Sequence, residues 1–301
     1  MLDFRIETFL SVCRHMNFTE AAAELHLTQP AVSQHIRWLE QRYAAQLFRR
    51  DGKRVRLTPA GEVLLSAMTV LRNDETALTE RIRTCETGRR VLTFGVTLTI
   101  GEYALVQPLS RYLKHRPELD LRMRFANTTA LLEAVQSGEV EFALVEGYIP
   151  PNSFETLRYC REPYIAVCAA QHTFVQEVHT LEDLLSERLL ARERGSGTRD
   201  ILERSLAVHG RTTGDFSHVI ELENMHTIVQ LLCADCGIAF LYRAAVAEEL
   251  EKGTLREIPL SDLSLSHDFT FLWNKGSVFS SEYRAFCRAL QSERLAGSDA
   301  F

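Results

Sequence analysis

Two short amphipathic segments joined by a tight turn occupy residues 19–40, TEAAAELHLTQPAVSQHIRWLE, and restrict what this end of the chain can form. The first segment carries small apolar side chains at Ala21 and Ala22, which allow a second helix to cross closely, and Thr19 is placed to cap it. The second segment has Thr28 at its own capping position. This spacing predicts a helix-turn-helix.

The second segment has two different faces. Val32, Ile36 and Leu39 recur at i, i+4 and i+7 and predict one buried stripe. The opposite face offers uncharged hydrogen-bonding groups followed by a cation, in the order Gln29, Ser33, Gln34 and Arg37. Such groups near a helix N-terminus suit base edges in the major groove of DNA, with a phosphate contact beside them. A solvated face of an ordinary helical pair is the alternative for each residue taken singly.

A basic hairpin is predicted directly after this helical pair. Asp51-Gly52 is a hairpin-turn signal, and Val55 and Leu57 alternate with basic residues. Cations in such a β wing would reach the DNA backbone, where phosphate contacts supply most non-specific affinity. The residues expected to contact DNA are Thr28, Gln29, Pro30, Ser33, Gln34, Arg37, Arg49, Arg50, Lys53 and Arg54.

Charge is distributed unevenly along the 301 residues. Residues 1–60 hold nine basic and six acidic residues, a net +3, whereas the remainder holds 25 basic and 34 acidic residues, a net −9. An acidic body with a basic head favours DNA contact confined to the head. The charged, helical opening and the lack of a long apolar run predict a cytoplasmic protein, in which the seven cysteines are expected to be reduced.

Residues 59–88 are predicted to form a connector helix. Its apolar positions follow a heptad spacing that one acid interrupts, namely Leu64, Met68, Leu71, Glu75, Leu78 and Ile82. A helix packed on its own domain is one interpretation, and a coiled-coil seam against a second copy is the other. A long charged helix between two domains favours the second copy.

Beyond Gly88 the pattern changes to alternating strands and helices. Strands are predicted at residues 91–96, 119–125 and 142–145, with helices at residues 102–115 and 128–137 between them. Similar strand patterns recur around Tyr164–Ala169, Leu189–Ala191, His218–Glu221, Ile238–Leu241 and Phe269–Trp273. Strand-helix-strand order predicts parallel sheets.

The N-terminal motifs together resemble those of LysR-type transcriptional regulators. The resemblance rests on Phe9, Asn17-Phe18-Thr19, Ala21-Ala22, Leu25, Gln29-Pro30-Ala31-Val32-Ser33, Ile36, Leu39-Glu40, Leu47-Phe48-Arg49-Arg50 and Leu57-Thr58-Pro59-Ala60-Gly61. It implies a mixed fold: a mainly α winged helix-turn-helix, a long linker helix and a two-lobed α/β domain resembling periplasmic binding proteins. Gln34 stands where the family often has a basic residue.

The resemblance also implies how the chain is divided and assembled. A DNA-binding domain would span residues 1–58, a dimerisation helix residues 59–88 and an effector-binding domain residues 89–301. Lobe I of that domain would comprise residues 89–162 and 268–301, and lobe II residues 163–267. Homodimers or homotetramers would bind a double-stranded operator with two-fold related half-sites.

Hydroxyl, amide and glycine residues follow four of the predicted strands. Open α/β sheets bind ligands at the carboxyl ends of their strands, where helix N-termini favour anions. Single hydroxyls at these places are more simply explained as helix caps. The presence of such residues after four strands, together with the resemblance, predicts a small anionic or carboxylate effector. Arg194 or Arg199 would neutralise its charge. The expected pocket residues are Thr97, Thr99, Asn127, Ser196, Gly197 and Thr198.

Two other interpretations concern the same half of the chain. Cys233 and Cys236 have CxxC spacing, which favours two buried thiols acting as small hydrophobes and leaves a thiol- or peroxide-responsive regulator as an alternative. An α/β enzyme fused to a DNA-binding head is less favoured, because Ser196 lacks nucleophile-elbow spacing and no cofactor or metal motif is present. We therefore expect no catalytic residues, cofactor or metal.

Overall fold

The computed structural model describes residues 2–51, 54–85 and 90–298. The chain divides into two compact units, one formed mostly by the first 86 residues and the other by most of the rest.

The first unit is a helical domain with a small hairpin and a long helix. Its helices are α1 (Phe4–His15), α2 (Phe18–Glu24), α3 (Gln29–Tyr43) and α4 (Pro59–Cys85), and its strands are β1 (Phe48–Asp51) and β2 (Arg54–Leu57). Val32, Ile36 and Leu39 are buried as predicted. They pack with Phe9 of α1 and Leu64 of α4 in one apolar core. This is the winged helix-turn-helix that the sequence predicts.

Helix caps fix the helix-turn-helix geometry. Thr28 caps α3 as predicted, because its hydroxyl accepts a hydrogen bond from Ala31 N at 3.4 Å. The predicted cap of α2 was wrong. Asn17 holds that position, and its side chain accepts hydrogen bonds from Thr19 N and Glu20 N. Asn is as strong a capping residue as Thr, and starting the helix two residues earlier than predicted places Thr19 inside the first turn.

The hairpin joins α4 through a tightly packed turn. Thr58 caps α4 by accepting a hydrogen bond from Gly61 N at 3.1 Å, and Pro59 occupies the first helical position. A Cβ at Gly61 would lie 2.2 Å from the carbonyl oxygen of Leu47. The close approach of α4 to the residue before β1 therefore requires glycine at this place in the Thr58–Gly61 motif.

The second unit is built on one sheet in which nine strands of the described chain take part. The strands are β3 (Arg90–Val96), β4 (Leu119–Phe125), β5 (Phe142–Val145), β6 (Phe154–Ala169), β7 (Arg188–Arg192), β8 (His218–Leu222), β9 (Ile238–Tyr242), β10 (Leu255–Ile258) and β11 (Leu265–Asn274). The helices are α5 (Val106–Lys114), α6 (Thr128–Ser137), α7 (Gly197–Val208), α8 (Met225–Cys233), α9 (Ala247–Glu251) and α10 (Ser280–Ser298).

Two parallel groups of strands define two lobes. In the first lobe β3 pairs in parallel with β4 and β5, and in the second β7 pairs in parallel with β8 and β9. The long strands β6 and β11 join the lobes and pair antiparallel over most of their length. Tyr164 is the position where β6 passes from β11 to β9, since it is paired with both Leu265 and Tyr242.

The sequence-based description of this sheet was incomplete. The prediction of parallel sheets was wrong for β6 and β11, which pair antiparallel. The strand expected at Tyr164 begins at Phe154, and β10 was not predicted. The helix expected at residues 102–115 begins at Val106 after a π-helical turn, Ile100–Ala104. That turn contains Gly101, which has low helix propensity and packs directly against the Phe125 ring.

Two structural features are absent from the part of the chain that the structure describes. None of the helices there has the length and apolarity needed to cross a bilayer. In the same residues no group of three or more histidine, cysteine, aspartate and glutamate side chains is arranged to hold a metal ion.

Candidate DNA interface and effector pocket

The solvent-facing side of α3 carries the predicted base-reading residues. Gln29, Gln34 and Arg37 are exposed, and Ser33 is half-buried. Gln29 Nε2 donates to Ser33 Oγ at 2.9 Å, one helical turn away. The two side chains therefore partner each other across one turn of α3.

The wing presents cations on both faces of its hairpin. Residues opposite each other in the ladder include Arg49 with Arg56 and Asp51 with Arg54, which places all four on one face. Asp51 pairs with Arg56 at 3.2 Å, and this ion pair reduces the repulsion between the facing arginines. Arg50 lies on the other face, opposite Val55.

Several predicted phosphate-binding cations have no acidic partner in the part of the chain that the structure describes. Arg37, Arg49, Arg50 and Arg54 are exposed, and their guanidinium groups form no ion pair there. Lys53, the remaining predicted wing cation, lies outside the described residues. Exposed arginines without an acidic partner among the described residues provide charge that phosphate groups can neutralise.

Three of the predicted pocket residues meet at the centre of the cleft between the lobes. Thr97 follows β3, and Thr99 lies two residues further on; Thr198 lies in the first turn of α7 in the second lobe. All three are buried. The hydroxyl oxygens of Thr99 and Thr198 are 3.4 Å apart, and Tyr164 Oη donates to the Thr198 carbonyl at 2.9 Å. The lobes are thus in direct contact at this point.

A carboxyl group that the sequence interpretation missed lies at the middle of this cluster. Glu146 directly follows β5, and its side chain accepts hydrogen bonds from the hydroxyls of Thr97 and Thr198, the latter at 3.3 Å. Complete burial raises the pKa of Glu146, while the two hydroxyls and the Arg192 guanidinium oppose that rise. The strand-end rule that selected Thr97 applies equally to the residue after Val145, so the sequence contained this signal.

Glycine backbones bring the lobes together beside Glu146. A Cβ on Gly197 would lie 2.2 Å from the Glu146 carbonyl oxygen, and one on Gly147 would lie 2.5 Å from Gly197 Cα. The Thr128 hydroxyl also donates to the Glu146 carbonyl, at 2.7 Å. The approach therefore depends on glycine at both positions, one of which was predicted as a pocket residue.

A cavity of about 590 Å³ opens next to this contact. It is lined from the first lobe by residues that include Thr128, Thr129 and Tyr148, and from the second lobe by Arg194, Gly195 and Ser196. Ser196 is the N-cap residue of α7, yet its side chain caps no backbone N–H. Its hydroxyl is buried without a hydrogen-bond partner among the described residues. A cavity against an uncapped helix N-terminus can hold an anion.

The other residues predicted at the effector pocket are divided between positions that face the cavity and positions that stabilise the fold. Arg194 is exposed at the cavity, whereas Arg199 is buried and bonded to Glu203 and Glu221. Asn127 caps α6 by accepting a hydrogen bond from Ala130 N at 3.0 Å. Of the two arginines expected to neutralise an effector, Arg194 is therefore the one with a free charge in the described structure.

The two cysteines of the CxxC pair are less enclosed than predicted. Cys233 ends α8, Cys236 follows it, and both are half-exposed free thiols. The expectation of two buried thiols was wrong because Asp235 adopts a left-handed conformation, with φ of 58°, that ends the helix near the surface.

Comparison with known proteins agrees with this architecture. Residues 5–62 match the model described as bacterial regulatory helix-turn-helix protein, lysR family, and residues 86–294 match the LysR substrate binding domain. A helix-turn-helix joined to such a domain defines the class of DNA-binding transcriptional regulators with an effector-binding domain. The chain belongs to the LysR family of these regulators.

Individual relatives cover nearly the whole chain. The HTH-type transcriptional regulator CbbR of Rhodospirillum rubrum is 31% identical over 277 residues, which is 90% of each chain. The H2O2-bound form of a Corynebacterium glutamicum OxyR mutant has a TM-score of 0.60 at 22% identity, covering 96% of this chain and 91% of that one. The Synechocystis PCC6803 CcmR regulatory domain in complex with 2-PG has a TM-score of 0.60 at 17% identity, covering 68% and 97%. Both structural likenesses concern the fold.

Proposed function

We propose that this regulator binds an operator as a homodimer, or as a pair of dimers, and that a small anionic effector in the cleft switches operator binding or DNA bending. The observation that carries the effector part is the buried, unpartnered Ser196 hydroxyl at the uncapped N-terminus of α7. An anion there would receive hydrogen bonds from free backbone N–H groups and from Ser196, with Arg194 at the cavity for charge. Such a protein acts in the cytoplasm, where the DNA is.

The domain limits follow from this assignment. We place the DNA-binding domain at residues 1–58, the dimerisation helix at residues 59–88 and the effector domain at residues 89–301. Within the last, lobe I is assigned residues 89–162 with 268–301, and lobe II residues 163–267. The change of strand partner at Tyr164 supports a boundary at residue 163.

The linker helix supports the dimer. Leu71, Leu78 and Ile82 of α4 are between 47% and 60% exposed in the single chain, although they lie on one heptad seam. Large apolar side chains in register along a helix are stabilised by burial against a second copy. Glu75 lies in the same seam, where one polar residue can fix the register of a pair at some loss of stability.

DNA recognition is tested by comparing two kinds of substitution on an operator selected from a library of random duplexes. Ser33→Ala should reduce site-specific binding by about 1–3 kcal/mol and leave non-specific binding nearly intact, because it removes a group that faces bases. Arg54→Ala should weaken binding to all sequences and lower the slope of log K against log salt by about 1. Identical behaviour of the two variants would overturn the assignment of α3 to the groove and the wing to the backbone.

The effector site is tested by thermal shift of the full-length protein with phosphate, sulfate, 2-PG and a series of carboxylates. Ser196→Ala should lose the stabilisation that any active anion gives the wild type. Ser205→Ala is the matched control, because the Ser205 hydroxyl lies on the same helix and bonds only to the Ile201 carbonyl. Equal anion responses in both variants would place the anion elsewhere.

A further inference from the structure

We propose that Glu146 is a resident carboxylate that occupies one subsite of the effector cleft, so that this subsite rejects effector carboxylates and accepts groups that donate hydrogen bonds. We call the space bounded by Thr97, Thr99 and Thr198 the threonine subsite. The proposal rests on the function proposed above and specifies the chemistry of the effector.

The geometry of the threonine subsite is that of an occupied carboxylate site. Thr97 donates to one carboxylate oxygen of Glu146, and Thr198 donates to the other at 3.3 Å. Thr99 lies 3.4 Å behind Thr198, hydroxyl to hydroxyl, which leaves Thr198 free to direct its proton toward the acid. Residues from both lobes thus arrange their hydroxyl donors around a carboxyl group that the chain itself supplies.

The charges around Glu146 are arranged for a single acid. Arg192 is buried nearby and attracts its charged form, although the Arg192 guanidinium already pairs with Glu193 at 2.8 Å. Tyr242 is also buried within electrostatic range, and its hydroxyl has no hydrogen-bond partner among the described residues. A second carboxylate beside Glu146 would raise its pKa further, because two neighbouring carboxyl groups in a buried site do not both remain ionised.

An effector that fits both places would carry two kinds of group. Its anionic group would bind at the N-terminus of α7, where Ser196 lacks a partner. An amino, hydroxyl or amide group on the same molecule would donate to Glu146 in the threonine subsite. The backbone of Gly197 touches the Glu146 carbonyl, so the two places adjoin each other. The structure thus favours bifunctional metabolites over simple dicarboxylates.

The test removes the resident acid and supplies a free one. Glu146→Ala vacates the threonine subsite, and acetate should then bind there and raise the melting temperature saturably, by roughly 3–5 °C for each tenfold excess over its Kd. Chloride at equal ionic strength is the control for general salt effects. Glu146→Ser is made in parallel, because its small hydroxyl can partner Thr97 and preserve the fold if the alanine variant is insoluble.

Two further variants show whether the vacated space is responsible. Glu146→Gln keeps the volume of the side chain, and Glu146→Asp keeps its charge, so neither should be stabilised by acetate beyond the wild type. Acetate that stabilised the alanine and serine variants no more than chloride, or stabilised the glutamine variant equally, would overturn the proposal. Operator binding and the Ser196-dependent anion response are measured on the same samples. If operator binding and the anion response persist but acetate does not stabilise the alanine and serine variants, this inference is rejected and the proposed function is retained.

Discussion

Gly197→Ala is the substitution whose result depends most directly on the contact between the lobes. Gly197 is the first residue of α7 and its φ is not in the left-handed region, so alanine fits its backbone. Helix propensity alone would make alanine more stable by up to about 1 kcal/mol. The added Cβ, however, would lie 2.2 Å from the carbonyl oxygen of Glu146 and 2.6 Å from its carbonyl carbon.

The free-energy cost of this clash should exceed the gain in helix propensity, because the atoms that the new Cβ meets belong to the backbone of Glu146. Relief requires α7 to move away from the end of β5, which also lengthens the hydrogen bond from Thr198 to Glu146. Overpacking of this kind costs about 1–3 kcal/mol. Because 1 kcal/mol shifts the melting temperature of a domain of this size by about 2–4 °C, we expect a decrease of roughly 4–8 °C for a cost near 2 kcal/mol.

The assay is thermal unfolding of the full-length protein by calorimetry, with Gly214→Ala as the matched control. A Cβ at Gly214 would meet only the Thr212 hydroxyl, at an ordinary 3.5 Å. Gly214→Ala should therefore change stability by no more than about 0.5 kcal/mol. A Gly197→Ala protein as stable as the wild type, or more stable, would show that the lobes do not meet in this way in solution.

Three further predictions use other parts of the chain. Leu78→Asp should weaken self-association in sedimentation experiments, because it places a charge in the α4 seam, and Thr76→Asp on the same exposed helix should not. Asn17→Ala should lower stability by about 1 kcal/mol through loss of the α2 cap, whereas Thr19→Ala should have little effect; the reverse order in chemical denaturation would restore Thr19 as the cap. Burial raises the pKa of Glu146 above its ordinary 4.5, so the folded state holds this proton more tightly than the unfolded state. The wild type should therefore lose stability relative to Glu146→Gln as pH rises above about 4.5 through the folded pKa, and a constant difference in melting temperature would contradict the assignment.

Local sequence signals predicted the DNA-binding half well because its contacts are local. Thr28 sits next to the helix it caps, and Val32 and Ile36 are one turn apart, so spacing alone determines which face is buried. The wing required only a turn signal between alternating residues. Where two capping residues competed within three positions, at Asn17 and Thr19, composition could not decide between them.

Longer-range pairing explains what the sequence did not predict in the other half. The first part of β6 has charged residues at Glu155, Arg158 and Arg161 without strict alternation, and it becomes a strand by pairing with β11, about a hundred residues later. Glu146 shows the same limit at the site itself. Its place after a buried strand identifies it as a strand-end residue, but only the fold reveals that Thr198 of the other lobe bonds to it.

Contacts already present across the cleft determine what an effector must do. Thr198, Gly197 and Thr129 all bridge the lobes, the last through hydrogen bonds to the Gly195 carbonyl at 3.2 and 3.3 Å. A ligand that preserved these contacts and bound both arrangements of the lobes equally would shift no equilibrium, however tight its binding. An effective ligand must therefore add contacts available in only one arrangement. The hydroxyls of Ser196 and Tyr242 are buried without a hydrogen-bond partner among the described residues, and a ligand that bonded to them would offset the cost of that burial.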